Sequence, residues 1–179
     1  MNDLDRLETI LQVGQTTTAK ALEVFDELDT VNLEFMIGRW KGRELHTNHP
    51  MDGLLETFNW YGKEFINEDR VHPLLFLDGN DRIIKVDPNP LGMDLALRFS
   101  FPKNPTLKPV FELMTSLLKT DESKARIRMM EYRGKVSATM IYDYLPINDV
   151  FRKISDRSVL GLMDFKAIQQ PFFFILNRE

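Results

Sequence analysis

The chain predicts a mainly β protein: an antiparallel barrel of about 8–10 strands, with an N-terminal helix and one or two further helices capping its ends. Three observations carry that expectation. Residues 37–46, IGRWKGRELH, alternate: Gly38, Trp40, Gly42, Glu44 and His46 share one parity, and Arg39, Lys41 and Arg43 take the other. Side chains of a strand point to opposite faces in turn, so the first set faces inward and the cations face water. A large aromatic between two glycines marks a sharply curved strand whose Trp40 plugs one end of something closed. Residues 125–142 and 71–86 then read as two hairpins, around Arg133-Gly134 and around Asp78-Gly79-Asn80-Asp81. Short strands joined by hairpins remove their exposed edges by closing the sheet.

At 179 residues the chain fits one domain with a substantial core. Its 27 acidic and 23 basic side chains leave a net charge of −4, and the basic residues are scattered. No nucleic-acid footprint results. The chain has no cysteine, which excludes disulfides, thiol nucleophiles and thiolate metal sites. The acidic start, MNDLDRLETI, lacks a signal-peptide apolar core, and the longest apolar run, PFFFIL, is strand-sized. The expectation is a soluble cytoplasmic protein with no membrane span. Its oligomeric state is open, a dimer included.

In order along the chain, Gly14 breaks a poorly patterned start, and hydroxyls from Thr16 cap a helix over Ala19–Leu28. The Trp40 strand ends before Pro50. Met51–Trp60 reads as a short helix presenting Leu54, Leu55 and Phe58, followed by a strand at Phe65 and Ile66. Val71–Leu77 and Arg82–Val86 form a hairpin, and two Asx-Pro turns follow it. Leu95–Phe101 reads as a strand, and Val110–Lys119 as a helix with a broad apolar face. In the 125–142 hairpin the register predicts Ala125 opposite Tyr142, Ile127 opposite Met140, Met129 opposite Ala138 and Glu131 opposite Val136. Pairs such as Arg128 with Thr139 and Met130 with Ser137 take the other face. Asp149–Asp156 reads as a helical turn capped by Asp149, before strands at Val159–Phe165 and Phe172–Asn177.

Gly38-x-Trp40 resembles the first strand of the calycin group: lipocalins, fatty-acid-binding proteins and nitrobindins. That resemblance implies a calycin-like barrel with Trp40 closing one end, and Arg178, late in FFFILNR, as the arginine laid across it. Gly38, Trp40, Gly42, Pro50, Leu54, Trp60, Gly62, Lys63, Phe65, Val71 and Pro73 are more closely similar to the family named for the GXWXG motif. Met130, Glu131, Tyr132, Arg133, Gly134, Tyr142, Asp143, Pro146, Asp149, Phe151, Arg152 and Asp164 resemble its usual C-terminal companion domain of unknown function. The resemblance implies a single barrel domain over residues 1–179, with a GXWXG-type part at 24–87 and a companion part at 120–179 completing it. It assigns no reaction. Nitrobindin-like barrels hold heme through a late histidine, and no histidine follows His72 here.

The residues expected to line a ligand site are Trp40, Glu44, His46, Trp60, Ile127, Met129, Glu131, Met140 and Tyr142. Glu44 and His46 are either polar anchors inside an apolar pocket or solvated groups where the strand emerges. Glu131 poses the same choice beside its tight turn. Methionines suit an adaptable wall. Trp40 reads first as a plug, and Trp60 as a staple or a mouth residue beside Lys63. His46, His49 and Asp52 lack a fixed metal-ligand geometry, so no metal site is expected; His72 is expected at the surface and Arg152, Lys153 and Arg157 on a solvated face. No nucleophile elbow or phosphate loop is present. The reading is a barrel binding a small apolar or amphipathic molecule, its cofactor unknown. The alternatives are a cofactor-free isomerase, hydratase or lyase using a buried carboxylate with His or Tyr, a heme-binding barrel, and a protein-interaction module built on the Phe-rich strand or the 110–118 helix.

Overall fold

The computed structural model describes residues 10, 12–88 and 117–179. The helix and strand expected within 95–119 lie outside these residues, apart from the last three positions of the helix. Thr17 caps α1 (Thr18–Glu27), its side chain accepting from the Lys20 N–H at 3.3 Å. Then follow β1 (Asp29–Thr30), α2 (Leu33–Met36), β2 (Gly38–Leu45), α3 (Leu54–Thr57), β3 (Trp60–Asn67), β4 (Arg70–Leu77) and β5 (Ile83–Lys85). The C-terminal half supplies β6 (Ala125–Tyr132), β7 (Lys135–Tyr142), β8 (Ile147–Ser155), β9 (Ser158–Phe165) and β10 (Ile168–Arg178).

Eight strands close an antiparallel barrel in the order β8-β7-β6-β4-β3-β2-β10-β9, with β9 returning to β8. Closure leaves few strand edges unpaired. The ring draws on both halves of the chain, because β2 pairs with β10 and β4 with β6. The β6–β7 hairpin adopts the expected register over all eight pairs, from Ala125 with Tyr142 to Tyr132 with Lys135. The β4–β5 hairpin turns at Asp78, whose N–H donates to the Arg82 carbonyl at 2.9 Å.

The apolar residues divide into two layers. Trp40, Phe65, Ile127, Met140, Phe151, Phe172 and Phe174 fill the barrel interior. Outside it, Ala21, Val24 and Phe25 of α1 cover Leu45, Val150, Leu160, Leu162, Phe173 and Ile175. Strands β8, β9 and β10 are therefore buried on both faces.

That second layer corrects several expectations. Residues 149–156 belong to β8, not to a helical turn; with both faces covered, the segment loses the two-residue polar alternation that announces a strand. Arg152 is fully buried beneath α1, its guanidinium 4.7 Å from the Phe25 ring and donating to the Tyr132 carbonyl at 2.9 Å. Ser137 and Thr139 are buried rather than outward and wet, and the Ser137 hydroxyl donates to the Phe151 carbonyl at 2.6 Å. Phe172, Phe173, Phe174, Ile175 and Leu176 of the Phe-rich strand are buried, its two faces enclosed by the interior and by α1. His72 is buried, and burial pushes its pKa down.

Candidate functional site in the barrel interior

At the closed end, Trp40 is fully buried and its Nε1–H donates to the Met36 carbonyl at 2.8 Å. The Arg178 guanidinium lies 4.2 Å from the Trp40 ring and donates to the Ile37 carbonyl at 2.7 Å and to the Phe35 carbonyl. The expected arginine does lie across the tryptophan. Its fork and the indole are fully engaged, which makes this end a plug.

Next on the same face of β2, the Glu44 carboxylate accepts from the Gly53, Leu55 and Glu56 N–H groups, the last two at 2.7 and 3.2 Å. It thus caps the first turn of α3 and fastens the 46–57 loop to β2. Burial pushes its pKa up, against the pull of those three amides. His46 Nε2 lies 3.3 Å from a carboxylate oxygen of Glu44 and 3.3 Å from one of Glu56. These three residues present ligating atoms within 4.8 Å of one another, and a cation there would compete with the α3 amides for Glu44. His49 and Asp52 serve the loop instead. The His49 ring accepts from the Met51 N–H, and Asp52 Oδ2 accepts from the Thr47 and His49 N–H groups at 2.9 Å.

The interior holds a different group. Lys63 of β3 and Asp149 of β8 form an ion pair at 2.8 Å, with side-chain exposures of 3% and 1%. Lys63 Nζ also donates to the Pro73 carbonyl at 3.1 Å and to the Tyr142 hydroxyl at 3.5 Å, so its three protons have three acceptors. Rings surround it: Phe174 at 5.0 Å, Trp60 and Tyr142 at 5.7 Å. Two glycines make room for these rings. A Cβ on Gly42 would collide with the Trp60 indole, and one on Gly161 with the Phe174 ring. Gly62 lets β3 approach β2, since a Cβ there would strike the Trp40 carbonyl oxygen, and its φ of +149° suits only glycine.

The electrostatics are those of a dry site. Burial pushes the Asp149 carboxyl up, opposed by Lys63. It pushes the Tyr142 phenol well up, with the Asp149 charge adding to the shift. Two polar atoms here have no hydrogen-bond partner among the described residues: Asp149 Oδ1 and Trp60 Nε1. Buried polar groups are nearly always paired. Thr47 Oγ1, Asp52 Oδ1 and Arg152 Nε are likewise unpartnered, but these two are the ones that adjoin the interior cation.

Comparison with known proteins now bears on the same residues. The GXWXG protein family model matches residues 23–80, which contain Gly38, Trp40, Gly42, Trp60 and Lys63. The Domain of unknown function (DUF4334) model matches residues 123–178, which contain Tyr142, Asp149, Gly161 and Phe174. The crystal structure of a protein from Thermomonospora curvata is similar at 32% identity and a TM-score of 0.74, covering 100% of this chain and 99% of that one. The chain belongs to the GXWXG family. Comparison with curated proteins finds no match.

The GXWXG strand thus supplies the plug and the recess for Trp60, while the ion pair joins the segments matched by the two family models. Among the other residues expected to line a site, Ile127 and Met140 are fully buried in the interior and Tyr142 touches Lys63. Met129 and Glu131 do not reach it. Both sit on the solvent-exposed end of β6, Met129 at 42% exposure, because the hairpin extends past the part of the barrel that buries Ile127. Lys63 and Asp149 are the functional candidates that sequence reasoning passed over. The inward parity of Ile147, Asp149 and Phe151 was the available signal.

Proposed function

We propose that this GXWXG-family barrel binds a small, largely apolar molecule in its interior, with the polar end of that molecule at Lys63, Asp149, Tyr142 and Trp60. One observation carries the reading: a buried ion pair ringed by aromatics, with two unpartnered polar atoms, inside a barrel with a largely apolar core. Apolar walls with a few convergent polar groups are the usual make-up of small-molecule sites. Glu44 is less suited to the role, because its oxygens already hold α3. No helix of the described residues is long and apolar enough to cross a membrane, and a cysteine-free chain needs no oxidising compartment; both features suit a cytoplasmic binding protein.

Native mass spectrometry of the full chain against a panel of apolar compounds tests the reading. The expected result is a one-to-one mass increment that disappears on denaturation. It should also disappear in a doubly substituted protein, Lys63→Met with Asp149→Leu. Bare protein mass across the panel would count against an interior site.

A second reading has its own observation. Asp149 Oδ1 is a free carboxylate oxygen with a raised pKa in a water-poor site beside a phenol, the equipment of a general base for isomerase, hydratase or lyase chemistry. Deuterium uptake from solvent into a bound compound, abolished by Asp149→Asn while binding persists, would support it. Binding without exchange leaves a carrier.

A further inference from the structure

Resting on the binding reading above, we infer that the occupant is a neutral, largely apolar molecule whose polar end is a hydroxyl, and that fatty-acid-type carboxylates are selected against. The argument is a count of charges and of open hydrogen-bonding positions around Lys63.

Charge comes first. Lys63 and Asp149 neutralise one another at 2.8 Å. No net positive charge is left to attract an anion, and a ligand carboxylate would bring a second negative charge close to Asp149 in a low-dielectric interior. Like charges at such a site repel strongly. The Lys63 ammonium also has no proton to spare, since Asp149, the Pro73 carbonyl and the Tyr142 hydroxyl take all three.

The open atoms then decide among neutral groups. Asp149 Oδ1, in its ionised form, can only accept, so the ligand must bring a donor. Trp60 Nε1–H can only donate, so the ligand must also bring an acceptor. A ketone, aldehyde or ester satisfies the indole and leaves the carboxylate oxygen bare. An ammonium ion satisfies the carboxylate but lies against Lys63 and offers the indole nothing. A hydroxyl both donates and accepts, and it carries no charge. The surrounding Phe174, Trp60 and Tyr142 rings and the Met140 side chain suit an apolar body behind it.

Isothermal titration of the full chain at neutral pH with probes of equal chain length tests this: 1-decanol, decanoate, 2-decanone and decylamine. A hydrogen bond to a buried charged group separates the probes by about tenfold or more in affinity, so decanol should bind at least that much more tightly than the other three. Trp60→Phe, which keeps a ring but removes the donor, should weaken decanol several-fold and leave decylamine unchanged. Decanoate or decanone binding as well as decanol would overturn the inference while leaving the interior site standing. Decanol affinity unmoved by Trp60→Phe would remove the indole from it. If none of the four binds, the binding reading fails, and the inference with it.

Discussion

The two ends of the GXWXG strand's neighbourhood use similar residues to opposite effect. At the closed end an indole and a guanidinium are both engaged, Trp40 with Met36 and Arg178 with Ile37 and Phe35, and farther along β2 the Glu44 carboxylate is engaged with the α3 amides. In the interior another indole and another carboxylate surround a cation, and each retains an atom without a partner. Leaving a buried polar atom unpaired costs about 1–3 kcal/mol. Unpaired buried atoms also occur at Thr47, Asp52 and Arg152. The two in the interior differ in standing beside a cation ringed by aromatic side chains, where a ligand has something to gain. Tryptophan or carboxylate identity alone does not distinguish the two ends; hydrogen-bond completeness taken together with the surrounding rings and charge does.

Substitutions can break that contrast. The largest effect should come from Lys63→Met, which strands the Asp149 charge in the interior; about 3–5 kcal/mol of stability should be lost in urea denaturation. Adding Asp149→Leu should restore most of it, because an apolar pair of similar volume replaces a buried ion pair at little cost. If the double substitution is as damaging as the single one, the pair is structural in a way its geometry does not explain.

Gly42→Ala comes next. The new methyl displaces the Trp60 indole, and overpacking of this kind costs about 1–3 kcal/mol. Tryptophan fluorescence should shift as the ring moves, and ligand affinity should fall further than stability does. Arg178→Ala at the plug should cost about 0.5–2 kcal/mol through the lost stacking on Trp40, without changing ligand affinity. Equal losses of affinity in Gly42→Ala and Arg178→Ala would erase the distinction between the ends.

The smallest effect concerns pH. The Glu44 carboxyl titrates above its ordinary value when folded, so in the window just above that value the folded chain holds more protons than the unfolded one. This group's stability contribution is full below the unfolded pKa and is lost as pH rises through the folded pKa. Glu44→Gln has no such titration, so its stability deficit relative to the parent chain should shrink as pH rises from about 4 to about 7, followed by denaturation midpoints. A deficit that grows with pH would mean that the amides of α3, not burial, dominate Glu44.

What the amino-acid order revealed and what it hid follow from burial. The β6–β7 register was legible because one face of that hairpin alternates apolar residues against charges, leaving one consistent pairing. The plug was legible because Gly38, Trp40 and Gly42 keep a single parity along an unbroken strand. Asp149 was hidden because β8 lies between the interior and α1, so both parities mix buried apolar and polar residues without alternation and DVFRKISD also suits a helical period. Lys63 was hidden by the register shifts of β3 against β4 near Trp60, Gly62 and Glu64, which bring Trp60 and Lys63 to the same side although their numbers differ by an odd step. The Glu44 contacts depend on a loop that returns nine to twelve residues later, a distance over which strand parity says nothing.

The recesses at Gly42 and Gly161 also have an evolutionary meaning. Each glycine is the vacant counterpart of one ring, Trp60 or Phe174, contributed by a different strand. Position 42 is therefore not free to drift alone: a lineage that gains a side chain there must trim position 60, and the same bargain links 161 with 174. Such paired exchanges would move the bulk around Lys63 from one wall to the other while leaving the barrel intact, so relatives could diverge in the shape of the barrel interior long before they diverge in fold.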